Sequence, residues 1–392
     1  MNRLKVLTIL TTASLALLTA SVSAGGNAGG LTLEKAVETA RSSSPAVELA
    51  EVQQEKAELE AEQAAEAART IPADSVDSYS AALLKYLYPE QALVSSQLAR
   101  RRTRAAREDV ALQVETAYRG LQMARQMARA TEVGLRVARE GLGVARDMHA
   151  SGMITRAEVL VAEREVEAMR SMWVSSQVGG ERAALALALL LGRDPGEDLV
   201  LAEDEPRHAS PEDIDLEAQV GKALRDRYEI AEANAMVDVA SYQLDLAREY
   251  PPDPSFRWSD LIPFDPPEGD GVEDEYTLPI AQLEYREARL VRTLQRSEVE
   301  HQVRTLYWEI RESEQRVEEA RAGLRAAEEA WRVARLKFDA EMLSRLDLLR
   351  ANLERIQCEA GHVSALYEHE LAVARFQHAC GRGSSAGLEG GI

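Results

Sequence analysis

Residues 106–193 and 295–382 are one segment written twice, at a constant offset of 189. Val114, Thr116 and Tyr118 recur as Val303, Thr305 and Tyr307. Gly134-Leu135-Arg136 returns as Gly323-Leu324-Arg325, and Met153, Arg156, Leu160 and Glu165 as Met342, Arg345, Leu349 and Glu354. No gap is needed anywhere, so the chain carries an internal tandem duplication. Two near-equivalent halves build a symmetric bundle or tube more readily than a single asymmetric pocket.

What is duplicated reads as long helical hairpins. Alanine-rich runs without proline cover 96–148, 153–191, 281–340 and 345–380. Alternating steps of four and three place Val110, Val114, Leu121, Leu135, Ala138 and Ala145 on one seam. The second copy places Val299, Val303, Ile310, Val317, Leu324 and Ala334 on the same seam. A sustained 3.5-residue apolar repeat with charged flanks is the coiled-coil pattern. Rods of about 50 residues would span about 75 Å, more than a compact core needs.

Each rod turns at a matched place. One tip holds Gly152, Met153, Ile154 and Thr155, the other Glu341, Met342, Leu343 and Ser344. Gly152 can supply a left-handed helix end, and Thr155 and Ser344 can cap the helices that follow. Glu158 and Asp347 stand three residues after those caps, the spacing of a capping box. Apolar side chains at the ends of rods mark either a partner surface or packing within each hairpin.

Shorter helical pairs precede both hairpins, with Leu33, Val37 and Ala40 echoed by Leu216, Val220 and Ala223. Ser44-Pro45 and Ser210-Pro211 each read as a cap followed by proline in the first turn. Between pair and hairpin lie strand-like, aromatic segments at 70–97 and 250–281, the second rich in proline and glycine. The expected organisation is a signal peptide at 1–24, repeats at 25–193 and 194–382, and a flexible tail at 383–392. The signal peptide rests on Arg3 and Lys5, an apolar stretch from Val6 to Leu18, and small residues before Ala24.

The formal net charge of −20 argues against a nucleic-acid partner, because phosphate would be repelled. A basic stripe nevertheless interrupts it, at Arg100, Arg101, Arg102, Arg104 and Arg107. It reads as a solvated helix face or a membrane-proximal collar. Cys358 and Cys380 lie about 33 Å apart along one helix and cannot bridge within it, so both are expected as small core residues. His362 and His369 share a helix face without zinc-motif spacing and are expected at the surface. No nucleophile elbow, phosphate-binding glycine loop or metalloprotease motif is present, so neither an enzyme nor a cofactor is expected.

This layout resembles the TolC family of outer-membrane efflux proteins. The opening from Leu31 to Ala40, followed by Ser44-Pro45, is similar to that family's N-terminal pattern. So are the tip from Gly152 to Leu160, its echo from Ser344 to Leu349, and Leu191-Gly192 before Asp194-Pro195. The resemblance covers residues 31–382. It implies a mainly α protein whose long helices form an α-barrel in the periplasm, above a small antiparallel β-barrel in the outer membrane. It further implies a homotrimer, a passive conduit for efflux or type I secretion, working with a periplasmic adaptor and an inner-membrane pump. Adaptor docking would fall on Gly152, Met153, Ile154, Thr155, Met342, Leu343 and Ser344. A periplasmic gate would involve Asp347, Arg350 and Glu158. Where related channels carry a second acidic ring this chain has Arg350, which is expected to pair with Asp347. A transmembrane strand takes about 9–11 residues, so segments this short imply a shortened, degenerate or absent β-barrel. The alternative is a soluble periplasmic coiled-coil scaffold that kept the helical tube and lost the barrel.

Overall fold

The computed structural model describes residues 30–194, 199–202, 214–250 and 276–381. Two rods dominate them: α4, Tyr88–Ala150, and α8, Thr277–Asp339, each 63 residues and therefore about 95 Å long. Each folds back into a 35-residue partner, α5 (Arg156–Leu190) after α4 and α9 (Arg345–Ala379) after α8. All four helices start and stop at positions 189 apart. Both rods outrun their expected length because each extends backward through a proline, Pro89 or Pro279, placed in the first turn where its missing N–H costs nothing.

The shorter helices are α1 (Leu33–Ser43), α2 (Pro45–Thr70), α6 (Leu216–Asp226) and α7 (Tyr228–Glu249). The pair α1–α2 packs on α4 and the pair α6–α7 on α8. The four long helices lie side by side in the order α5, α4, α9, α8. A single parallel bridge between Leu31 and Leu201 ties the start of the described chain to the segment after α5.

The seam positions form the core. Val110, Val114 and Leu121 pack with Leu33, Val37 and Leu187; Val299, Val303 and Ile310 pack with Val220, Ile230 and Phe376. A third cluster, with Leu135, Ala138, Met169 and Ile356, joins the two hairpins. Only the small polar residues Thr131 and Ser313 interrupt the seam, and both hydroxyls donate to carbonyls of the preceding turn.

The strand-like reading of 70–97 is corrected. That stretch holds a 3₁₀ turn at Ala73–Ser75, the short helix α3 at Tyr79–Ala82, a π-helical turn at Leu83–Leu87 and then the start of α4. Tyr79, Ala82, Leu83, Tyr86 and Leu87 recur at three- and four-residue steps, which gathers them on one helical face against Leu246 and Tyr250. Lys85 extends its ammonium group onto the carbonyls of Ala68 and Ile71, closing the C-terminal end of α2. The second strand-like segment, 250–281, is helical from Thr277, and its residues 251–275 lie outside the described residues. The signal peptide, Ser210-Pro211 and the tail also lie outside them. Within them, α6 is capped by Asp215, whose carboxylate accepts from the Ala218 N–H at 3.0 Å.

Candidate functional site at the rod tips

Both tips close by the same backbone device. The N–H of Met153 reaches the carbonyl of Met148 at 2.8 Å and that of Gly152 the carbonyl of His149 at 2.9 Å. In the second tip Met342 reaches Lys337 at 2.8 Å and Glu341 reaches Phe338 at 2.9 Å. This crossed pair of bonds needs a left-handed residue at the helix end. Gly152 supplies it with φ +75°, whereas in the second tip Glu341 adopts φ +59°. The turn forms without glycine, at a cost.

The helices that leave the tips are capped as their residue types suggest. The Glu158 carboxylate accepts twice, from the Thr155 N–H at 2.7 Å and from the Thr155 hydroxyl at 2.9 Å. The Glu158 N–H returns to the Thr155 hydroxyl, completing a capping box. These bonds, the backbone one first, hold the Glu158 carboxyl below its ordinary range, and the charge of Arg350 helps. Ser344 accepts from the Asp347 N–H at 3.1 Å and donates to its carboxylate at 2.7 Å. Arg350 stands 3.9 Å from Asp347, at the outer limit of an ion pair.

The three residues proposed for a gate therefore lie together, although Glu158 comes from the first hairpin and the other two from the second. Ala145, Ala162 and Leu346 make this possible, packing the starts of α5 and α9 on the end of α4. The apolar tip residues divide. Met153 is 72% exposed and Met342 75%. Ile154 is half-buried against the Ala145–Leu346 cluster, and Leu343 is half-buried too.

Sequence reading overlooked a polar seam at mid-rod. Arg119 on α4 holds buried Glu115 on its own helix at 3.0 Å and reaches buried Glu370 on α9. Beside it His369 is 1% exposed, not at the surface, and its Nδ1 lies 2.9 Å from the Ser313 hydroxyl. Partners 251 residues apart leave no local signal for such a contact. Among the described residues no group of three or more histidine, cysteine or carboxylate side chains is placed to hold a metal. Cys380 is buried as expected, while Cys358 is only half-buried.

The four rods also leave two edges. Val178 and Leu185 on α5 are exposed, and Leu189 is 74% exposed. Their counterparts on α9 are Tyr367 and Ala374, both buried, and His378. Trp308 on α8 is 65% exposed where its counterpart Arg119 lies largely covered. The pairs α4–α5 and α8–α9 are equivalent, so the difference comes from the extra contact that α4 and α9 make with each other.

Neither a protein-family model nor a curated protein matches the sequence. Solved structures do match. A membrane protein from Pseudomonas aeruginosa superposes with a TM-score of 0.71 at 17% identity, over 91% of this chain and 92% of that one. The outer membrane protein VceC from Vibrio cholerae gives 0.67 at 18% identity, over 90% and 96%. The MtrE outer membrane channel of Neisseria gonorrhoeae gives 0.68 at 17% identity, over 90% and 89%.

Proposed function

The chain has the TolC-like fold, and from it we propose an outer-membrane channel: a passive conduit that crosses the periplasm as a ring of helical rods. The observation that carries this reading is the pair of open edges. Trp308 on α8 and Val178 and Leu185 on α5 are apolar and exposed where the duplicated positions, Arg119, Tyr367 and Ala374, are covered. If α8 of one copy packs on α5 of the next as α4 packs on α9, the edges are covered and the row of rods closes. Three copies would supply the closed tube, with a periplasmic adaptor meeting the exposed Met153 and Met342 and an inner-membrane pump supplying the energy. Asp347, Arg350 and Glu158 would then line the periplasmic end of the conduit.

One observation favours the second reading, a periplasmic scaffold without a membrane barrel. Residues 79–97 are helical, so this segment supplies no strand pair to a barrel. The experiment is fractionation of cells producing the full-length chain, followed by a high-salt, alkaline wash of the membranes. Retention in outer membranes supports the channel; release into the periplasmic fraction sinks transmembrane transport while leaving the tube.

A further inference from the structure

The arginine stripe on α4 does not lie along an open helix face. Arg101, Arg102 and Arg104 form one wall of a cleft of about 860 Å³. Arg225 and Arg227, at the turn between α6 and α7, and His378, in the last turn of α9, form the rest of its basic lining. The cleft exists because α9 ends against α6. Gly381 has φ +69°, and a β-carbon there would stand 3.3 Å from Asp226. A larger residue would be strained in its backbone and tight against α6.

Charge within the cleft is unevenly satisfied. Four acids also line it. Glu108 is held by Arg41 at 2.9 Å, Asp109 by His378 at 2.9 Å, and Glu229 by Arg227 at 2.6 Å. Burial works against the Glu229 carboxylate, yet Arg227 and a backbone N–H keep it below the ordinary range and therefore charged. Burial, with Glu232 beside it, pushes the Tyr228 hydroxyl up to about 12, so it stays a neutral donor, to Glu232 at 3.0 Å. Arg101, Arg102, Arg104 and Arg225 are left with no ion pair among the described residues, facing Asp226. The stripe's other members are occupied elsewhere: Arg100 binds Glu58 at 2.8 Å and Arg107 binds Glu51 at 2.6 Å.

The duplication provides an internal control. At the positions 189 residues on, Arg101, Arg102 and Arg104 become Leu290, Val291 and Thr293. In the short pairs, which repeat at 183, Arg225 and Arg227 correspond to Ser42 and Ser44, and on α5 His378 corresponds to Leu189. The architecture is thus built at one location without any of these cations, so the fold does not require them at the other. Five of the six are arginine and none is lysine. The planar guanidinium binds oxyanions through two bonds at once, while four like charges gathered with no ion pair among the described residues cost the free protein self-repulsion. The volume falls within the range of small-molecule sites and exceeds what one phosphate fills.

We propose that this cleft binds a compact anion carrying two or more phosphate groups, either free in solution or as the headgroup of a phosphorylated glycolipid. Neither the conduit reading nor the tips enters into it.

The test is isothermal titration of the full-length protein, in detergent, with sodium pyrophosphate. Saturable binding with a Kd of roughly micromolar order is expected. R102Q and R225Q should each weaken it about tenfold, as loss of a charge-assisted bond does. R100Q and R107Q, whose partners lie outside the cleft, should leave it unchanged, and all four variants should melt as the parent does. No saturable heat, or equal weakening by all four variants, overturns the proposal, the latter because it reports diffuse charge. Displacement of pyrophosphate by a bis-phosphorylated glycolipid at lower concentration than by pyrophosphate itself assigns the lipid source. Failure of the glycolipid to displace it assigns the free anion.

Discussion

Glu341 holds a left-handed backbone, φ +59°, at the position where the other tip has Gly152. That conformation costs an L-residue about 1 kcal/mol that glycine does not spend. Glu341→Gly should therefore stabilise the protein by about 1 kcal/mol, read as a higher urea midpoint; no change would mean the strain is relieved locally. Glu158 offers a pH test. Its folded pKa is depressed below the ordinary 4.5 by the Thr155 N–H and hydroxyl. A depressed carboxyl contributes fully above its unfolded value and loses that contribution as pH falls through the folded one. The protection of the Thr155 amide relative to its intrinsic exchange rate should fall only below about pH 4.5, and Glu158→Gln should abolish that dependence while leaving the tip more open at neutral pH. The capping residues were legible because a cap and its acid stand three positions apart on one strand of sequence. His369 was misread because its partner, Ser313, lies on another helix and no local spacing reveals it.

Among the elements, the rods were the most legible feature, because a repeat of apolar residues specifies both the helix and the face it buries. Their backward extension was not. Aromatics with turn-forming neighbours suggested strands at 70–97, yet Tyr79, Leu83, Tyr86 and Leu87 keep helical spacing and bury one face against α7. The polar part of the contact between α4 and α9 centres on Arg119, flanked by Glu115 and Glu370, whose side chains are 1% and 7% exposed. Removing the cation leaves two buried carboxylates near each other, so Arg119→Met should destabilise the protein by about 3 kcal/mol or more in a urea melt. A smaller loss would mean that water enters the seam. Ile154 packs inside the tip and Met153 does not. Met153→Asp with Met342→Asp should thus abolish adaptor-dependent export at unchanged protein level and melting temperature; undiminished export would remove the tips from docking.

Over the whole molecule, the duplication made the order of helices predictable but not its closure, since which edges remain open depends on which pairs touch. Trp308 stands at such an edge. Trp308→Glu should reduce the trimer expected by light scattering to monomer while far-ultraviolet helicity persists; an intact trimer would place the contact elsewhere. The charge balance was likewise hidden, because Arg225, Arg227 and His378 join the α4 arginines only when distant helices meet. Length itself has a mechanical meaning. Each rod runs 63 residues with proline only in its first turn, so it is a lever about 95 Å long. Pivoting it by about one degree at one end sweeps the other sideways by roughly 1.7 Å, most of the reach of a hydrogen bond. A tilt too small to disturb the packing around the short helices would be enough to pull Glu158 and Asp347 out of register with whatever stands opposite them.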